Sequence, residues 1–293
     1  MADRDVLKEL SRVETLPTLP DVVTRVLAVL DCEEVEVGSV AELVGQDPAM
    51  TGQILRVSNS VMFNAIGFST TSIHEAIGRI GLREVRNLVI SLGVVEAFTG
   101  IRHGFDFREF WRHSFSTAVA AGTVAQRIPG LAGPGNPRDN PYFLAGLLHD
   151  VGTLLLSQHM GDEYGQLLAD VAERGRPLHE LERERLGTDH QQAGAALIRR
   201  WGLPLEIAAA AEYHHGVDGA PEDGRDYVLV VAAADAVLGR HGRNSPAELE
   251  ANAPHEEELD GLGVGEEDLV DMADAVMLAA QTSDALLAVA LPA

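Results

Sequence analysis

The 293-residue chain contains one cysteine, Cys32, which excludes an intrachain disulfide and a cysteine-based zinc site. Lysine is nearly absent as well: Lys8 is the only one among 22 basic residues, which face 45 acidic ones. The resulting net charge of −23 repels phosphate backbones and anionic lipid surfaces, so neither specific DNA binding nor membrane association is expected. Aromatic residues make up 5% of the chain, and Ala, Leu and Val dominate, a profile that suits close-packed helices better than a β-sandwich. No window approaches the roughly 20 unbroken apolar residues that a membrane span requires. The segment Met1–Glu9 carries charges of both signs and lacks the apolar core of a secretion signal. A reducing cytoplasm is the expected location.

What is present is an ordinary globular pattern, 46% hydrophobic, with helical spacing throughout. Val22, Val23, Val26, Leu27 and Leu30 form an apolar stripe that opens at Pro20. Asp47-Pro48 reads as an N-cap followed by proline at the first helical position. Ser72-Ile73-His74-Glu75 reads as a capping box, Gly81 as a helix stop, and Leu82–Phe98 as the next helix. Residues 109–128 are amphipathic, and Pro129–Pro141 is a Pro- and Gly-rich loop. Tyr142–His159 reads as one apolar helix, followed by helices near 163–174, 190–201, 204–215 and 226–240. No segment alternates with period two, so the expected fold class is all-α. Three segments are expected: an N-terminal helical part (1–106), a second helical part (107–243), and an acidic linker with a C-terminal helix (244–293). In the last of these, residues 246–265 read as loosely ordered, and Leu269, Met272, Val276, Met277 and Ala280 form the stripe of a helix over Glu266–Ala290.

The strongest chemical signal is His149-Asp150, set inside the apolar run Leu144–Gly152. Burying two such groups without partners is costly, and either metal coordination or a hydrogen-bonded pair removes the cost. Five further residues of suitable type lie in similar settings: His113, His190, His214, His215 and Asp235. Five histidines and two aspartates make an N/O donor set that suits iron, zinc, manganese or magnesium. A bridging carboxylate between two His-rich groups suits one or two divalent ions that clamp a phosphoryl group. The other histidines, His74, His103, His159, His179, His241 and His255, lack the apolar setting and read as surface residues.

The series His113, His149-Asp150, Asp235 resembles the H…HD…D pattern of the HD phosphohydrolase superfamily. His190 and His214-His215 resemble the second-metal ligands of the HD-GYP cyclic-dinucleotide phosphodiesterases, in which Asp150 would be the bridge. A more specific likeness is to HDOD domains. It is carried by Leu16-Pro17-Thr18-Leu19-Pro20, by Gln46–Thr51 with Leu55–Ser60, by Ser72–Ser91, by Phe143–Gly152, by Asp189-His190 with Gly194, and by Trp201–Pro204. These motifs stand in family order over roughly residues 12–240. The resemblance implies a multi-helix HD-like bundle and a bacterial signal-transduction module that acts through protein–protein interaction. Signalling proteins are the implied partners, with a homodimer left open.

The chain departs from the phosphodiesterase pattern at two places. Val151-Gly152 is followed by Thr153 where that family has lysine, and the loop His214–Pro221 lacks the Gly-Tyr-Pro signature. Catalysis by a metal-dependent phosphohydrolase, with Asp150 as its bridging carboxylate, is therefore the alternative and not the leading reading. Two weaker patterns stand beside it. Ser39–Ser60 has the outline of a helix-turn-helix, but with only Gln53, Arg56 and Asn59 available to reach bases it reads as a packed hairpin. Arg79, Arg83 and Arg86 form a basic group that reads as a solvated face or a patch for an acidic partner.

Overall fold

The computed structural model describes residues 6–12, 16–32, 34–60, 63–64, 67–99, 106–128, 130–131, 141–240, 268, 272–278, 287–288 and 290–291. Among them are fourteen α-helices, a helical stretch at 272–278, and no strand. The chain divides into two compact units, Thr18–Thr99 with Ala285–Ala293, and Met1–Pro17 with Gly100–Asp284.

The smaller unit holds α2 (Asp21–Leu30), α3 (Val37–Gly45), α4 (Pro48–Asn59), α5 (Ile73–Ile80) and α6 (Leu82–Ala97). The expected local signals are present. Asp47 caps α4, its carboxylate accepting from the amides of Ala49 (2.8 Å) and Met50 (3.0 Å), with Pro48 at the first helical position. Ser72 caps α5 by accepting from Glu75 N at 3.3 Å. The capping box closes through a third residue: Thr70 Oγ1 donates to Glu75 at 2.5 Å and accepts from Ser72 N at 3.0 Å. Gly81, at φ +95°, turns the chain from α5 into α6, a conformation that a side chain would strain. Helix α6 is the centre of this unit, with eleven buried residues. Arg79 donates to Ser58 O, and Arg86 pairs with Asp31, so two of the three clustered arginines are engaged within the unit. Asn59 hydrogen-bonds Thr70 through both amide atoms and is not held ready for a base edge.

The larger unit holds α1 (Val6–Arg12), α7 (Phe107–Arg127), α8 (Pro141–Leu148), α9 (Val151–Met160), α10 (Asp162–Arg174), α11 (Leu178–Leu186), α12 (His190–Arg200), α13 (Leu205–Tyr213) and α14 (Arg225–Arg240). Two glycines allow the close approaches that build it. A Cβ on Gly146 would meet Thr117 O of α7 at 2.7 Å, and one on Gly152 would meet His190 O of α12 at 1.9 Å. Both obstacles are backbone, so α8 lies hard against α7, and α9 hard against α12. Part of the C-terminal stripe is visible: Met272 and Val276 pack with Val230, Val231 and Val237 of α14. Leu269, Ala280 and the acidic stretch 246–265 lie outside the described residues.

One expectation is corrected. Tyr142–His159 is two helices, not one: α8 stops at Leu148, His149-Asp150 form a turn, and α9 starts at Val151. Asp150 sits at φ −100°, ψ 7°, and its carbonyl accepts from Thr153 N at 2.9 Å. The break has a physical use. Adjacent side chains on a continuous helix diverge by about 100°, whereas the turn directs both of these inward.

Candidate metal centre

All seven residues singled out in the sequence lie in the larger unit, and six of them are buried: His113, His149, Asp150, His190, His214 and Asp235. His215 is partly exposed. They arrive from five places: His113 from the middle of α7, His149-Asp150 from the turn between α8 and α9, His190 from the first residue of α12, His214-His215 from the end of α13, and Asp235 from α14.

Asp150 lies between two groups. On one side, its Oδ2 is 3.4 Å from His149 Nε2 and 3.9 Å from His113 Nε2, and His113 Nε2 is 3.2 Å from Asp235 Oδ1. On the other, its Oδ1 is 3.3 Å from His214 Nε2 and 3.6 Å from His190 Nε2. The ligand-type atoms of Asp150, His190, His214 and His215 lie within 4.8 Å of one another, as do those of His113, His149 and Asp150. A buried His/Asp cluster that could hold a metal is therefore present, with Asp150 common to both halves.

The outer nitrogens of three of these rings are already committed. His149 Nδ1 is 2.8 Å from Gly146 O, and His214 Nδ1 is 2.9 Å from Ala211 O, so each donates to a carbonyl of the helix it terminates. His190 Nδ1 is 2.7 Å from the carboxylate of Glu182. Acceptors at all three Nδ1 atoms leave the Nε2 lone pairs facing inward, as an imidazole ligand requires.

Charge supports the same arrangement. Burial pushes the His149 imidazole down to about 4, against the pull of Asp150. Burial, with His214 and His190 adding, drives His215 well below the usual histidine range. Burial pushes the Asp150 and Asp235 carboxyls upward, but their imidazole neighbours, His149 foremost at Asp150 and His113 at Asp235, outweigh it and hold both below the usual range. Two carboxylates are thus kept charged in the interior, and among the described residues no Lys or Arg pairs with either. Both oxygens of Asp150 and the Nε2 of His214 also lack a hydrogen bond. A buried carboxylate that has no hydrogen bond and is surrounded by metal-capable imidazoles is a good arrangement for a cation.

Several residues at the site were not singled out in the sequence. Glu182, fully buried on α11, accepts from His190 through both its ring and its backbone amide (2.9 Å), and from the Tyr164 hydroxyl at 2.5 Å. It lies in a charged run, Glu180–Arg185, that reads as solvent-facing. Its spacing from Leu178, Leu181 and Leu186 puts it on their inward face, and that was the available signal. His179, read as a surface residue, is buried and stacks on His215 with ring centroids 4.9 Å apart. It is shielded by the helix α11 that the sequence reading did not anticipate.

Known proteins share parts of this sequence and its fold. An uncharacterized protein of Treponema pallidum (strain Nichols) is 26% identical over 227 residues, covering 78% of this chain and 43% of that one. Ribonuclease Y of Deinococcus radiodurans is 37% identical over 124 residues, 40% of this chain and 20% of the enzyme. The chain thus spans less than half the length of these curated relatives. Among solved structures, an HDOD domain protein of unknown function from Geobacter sulfurreducens superposes with a TM-score of 0.79 at 26% identity, covering 96% of each chain. Residues 16–217, more than half of the sequence, match the model of the HDOD domain. The chain belongs to the HDOD domain family.

Proposed function

We propose that this chain is a regulatory HDOD module that works through protein–protein interaction in signal transduction, and that its His/Asp cluster holds divalent metal as part of the folded body and not as a site of turnover. The observation that carries this reading is the burial of six of the seven donors, His215 being the partly exposed one. Asp150 is 1% exposed, His149 and His190 0%, and Asp235 4%. Thr153, standing where the related phosphodiesterases have lysine, is itself buried at 1%. Catalytic metal sites keep an open position for water and substrate, whereas structural sites are closed. With Lys8 the chain's only lysine, no other lysine substitutes at Thr153.

The residues present fit a metal. One ion would be held by His113, His149, Asp150 and Asp235, and a second by Asp150, His190, His214 and His215. The donors suit iron, manganese, zinc or magnesium. A bound ion supplies the positive charge that the two buried carboxylates lack and, where substrate has access, Lewis-acid polarisation of a phosphoryl group.

The second reading is a phosphohydrolase or cyclic-dinucleotide phosphodiesterase, and the observation in its favour is the convergence of the complete donor set. Measuring metal content and hydrolysis together separates the two. Tag-free protein is expected to carry at least one equivalent of a divalent metal. It is expected to leave bis(p-nitrophenyl) phosphate and cyclic dinucleotides unhydrolysed at full metal occupancy. Turnover that disappears in Asp150→Ala would establish the enzymatic reading instead. No specific duplex-DNA binding and no membrane association are proposed, in keeping with the net charge of −23. No described helix is long and apolar enough to cross a membrane. Signalling proteins are the proposed partners, and a homodimer is the assembly to test first, by light scattering.

A further inference from the structure

The two halves of the cluster are built differently. In the first, a second carboxylate stands among the donors themselves: Asp235 Oδ1 is 3.2 Å from His113 Nε2. In the second, apart from the shared Asp150, the donors are imidazoles, and the additional carboxylate stands behind one of them. Glu182 Oε2 accepts from His190 Nδ1 at 2.7 Å and from His190 N at 2.9 Å, while Oε1 accepts from Tyr164 at 2.5 Å. Glu182 and Tyr164 are both fully buried, and among the described residues no Lys or Arg pairs with Glu182. Three donors converge on its two oxygens, so both act as hydrogen-bond acceptors.

We propose that Glu182 is the positioning residue of the second metal position: it fixes the tautomer and orientation of His190, raises the basicity of its Nε2, and so sets the affinity of the His190–His214–His215 half, while the half containing Asp235 does not depend on it. The inference rests on the reading of the cluster as a metal centre. A carboxylate behind a ligating imidazole strengthens the ligand, and removing such a partner typically costs 10–100-fold in metal affinity. The double attachment matters too. Asp189 caps α12 by accepting from Gln192 N at 2.8 Å; Glu182 adds a second hold on that end by taking the backbone amide of His190 as well as its ring, and Gly152 leaves α12 no room to shift toward α9. The Tyr164 hydroxyl fixes the rotation of the Glu182 carboxylate, so the ring of His190 is determined by a chain of three buried groups.

The test uses the full chain, purified without a tag, freed of metal by chelation, and titrated with Zn(II) against a competing chelator. Co(II) absorption serves as a second, spectroscopic readout. Wild-type protein is expected to bind in two steps. Glu182→Gln, which keeps the shape of the side chain and removes its charge, should weaken one step by about 10–100-fold, leave the other within about twofold, and change the Co(II) spectrum of the weakened step only. Asp235→Asn should weaken the opposite step. If Glu182→Gln lowers the melting temperature of metal-free protein and leaves both affinities and the Co(II) spectrum unchanged, Glu182 is merely structural and the proposal is overturned. Equal weakening of both steps also overturns it. Wild-type protein that takes up no metal removes the metal-centre reading, and this inference with it, whereas two wild-type steps that Glu182→Gln does not change remove this inference alone. Should Glu182→Gln fail to fold, Tyr164→Phe takes its place: a several-fold loss in the same single step supports the proposal, and unchanged affinities overturn it.

Discussion

Both units of this protein carry polar networks, one part-buried around Thr70 and one buried around Asp150, and they satisfy them differently. In the smaller unit, the polar residues joining α4 to α5 form a closed set. Asn59 bonds both backbone groups of Thr70, the Thr70 hydroxyl bonds Glu75 and Ser72 N, and Ser72 bonds Glu75 N. Within that set, donors and acceptors match within the chain itself. In the larger unit the Nδ1 atoms of His149, His214 and His190 bond outward, to carbonyls or to Glu182, His113 Nε2 lies 3.3 Å from His149 Nε2, and both oxygens of Asp150 at the centre lack a hydrogen bond. The first arrangement needs nothing added. The second could be completed by a cation. A self-contained polar network fixes a fold, whereas one left incomplete at its centre specifies a ligand.

The most severe test of that contrast is to remove the central anion. Asp150→Asn should abolish metal binding in both halves and lower the stability of metal-supplied protein by about 3–5 kcal/mol, the usual cost of losing one partner of a buried charge interaction. In excess chelator the loss should be smaller, because the imidazoles of His149, His190 and His214 already compensate part of the Asp150 charge without metal. Calorimetry with and without chelator checks both arms. Equal destabilisation in both conditions would mean that Asp150 is held by the protein alone and that the cluster is a closed network like that of the smaller unit.

Acid should separate the units next. The His149 imidazole is lowered from 6.5 to about 4 by burial, so between those values the unfolded chain takes up a proton that the fold excludes. The stability contributed by neutral His149 is complete above pH 6.5 and is lost as the pH falls from 6.5 through 4, by about 3 kcal/mol in all. Asp150, held below the usual carboxylate range, acts in the same direction at still lower pH. The only histidine between Thr18 and Thr99 is His74, which is exposed. Hydrogen exchange on metal-free protein from pH 7 to 4.5 should therefore show α8, α9 and α12 losing protection while α2–α6 keep theirs. Simultaneous loss in both units would show that the pH response belongs to the whole molecule.

Backbone contacts offer a smaller and more local comparison. A Cβ at Gly152 would lie 1.9 Å from His190 O, which can move only with α12, whereas a Cβ at Gly93 in α6 would lie 2.6 Å from the Val23 Cγ2 methyl, a side-chain atom and not backbone. Gly152→Ala should cost about 2–3 kcal/mol and reduce metal uptake by displacing His190 from Asp150. Gly93→Ala should cost about 1 kcal/mol and leave metal uptake unchanged. Urea denaturation paired with metal analysis reads both outcomes.

How much of this was legible in the sequence follows from how local each signal is. Asp47-Pro48, Ser72 and Gly81 mark helix ends because capping involves residues within four positions of one another. The donor residues stood out because His and Asp interrupt apolar helices. The break at His149-Asp150 was not legible, since the run from Leu144 to Leu156 is apolar on both sides and contains no proline at the turn. What halts α8 is tertiary: the cluster draws both side chains inward. Glu182 and His179 were hidden for a related reason. They sit in α11, whose charged sequence looks solvated, and only the packing of Leu178, Leu181 and Leu186 shows which face is buried. Charge in a sequence points to solvent on average, and it misleads where a buried partner such as His190 is distant in the chain.

The mildest perturbation sharpens the comparison from the other side. Asp47 is partly accessible at the start of α4 and far in sequence from any member of the cluster, and its carboxylate accepts from two amides, Ala49 N and Met50 N. Asp47→Ala leaves two of the first-turn donors of α4 to water and should cost about 1 kcal/mol. Asp47→Ser, which retains an acceptor, should recover most of that loss. Neither change alters the charge, burial or hydrogen bonding of His113, His149, Asp150, His190, His214 or Asp235, so metal stoichiometry and affinity should equal those of wild type. The discriminating measurement is the metal-dependent rise in melting temperature. For Asp47→Ala, the melting temperatures with and without metal should fall together and their difference should persist, because a ligand that binds only the folded state adds the same increment to a slightly weaker fold. For Asp150→Asn that difference should vanish. A reduced metal increment in Asp47→Ala would show that the cap of α4 and the cluster are energetically coupled, and the division into a self-contained network and a ligand-requiring one would then fail.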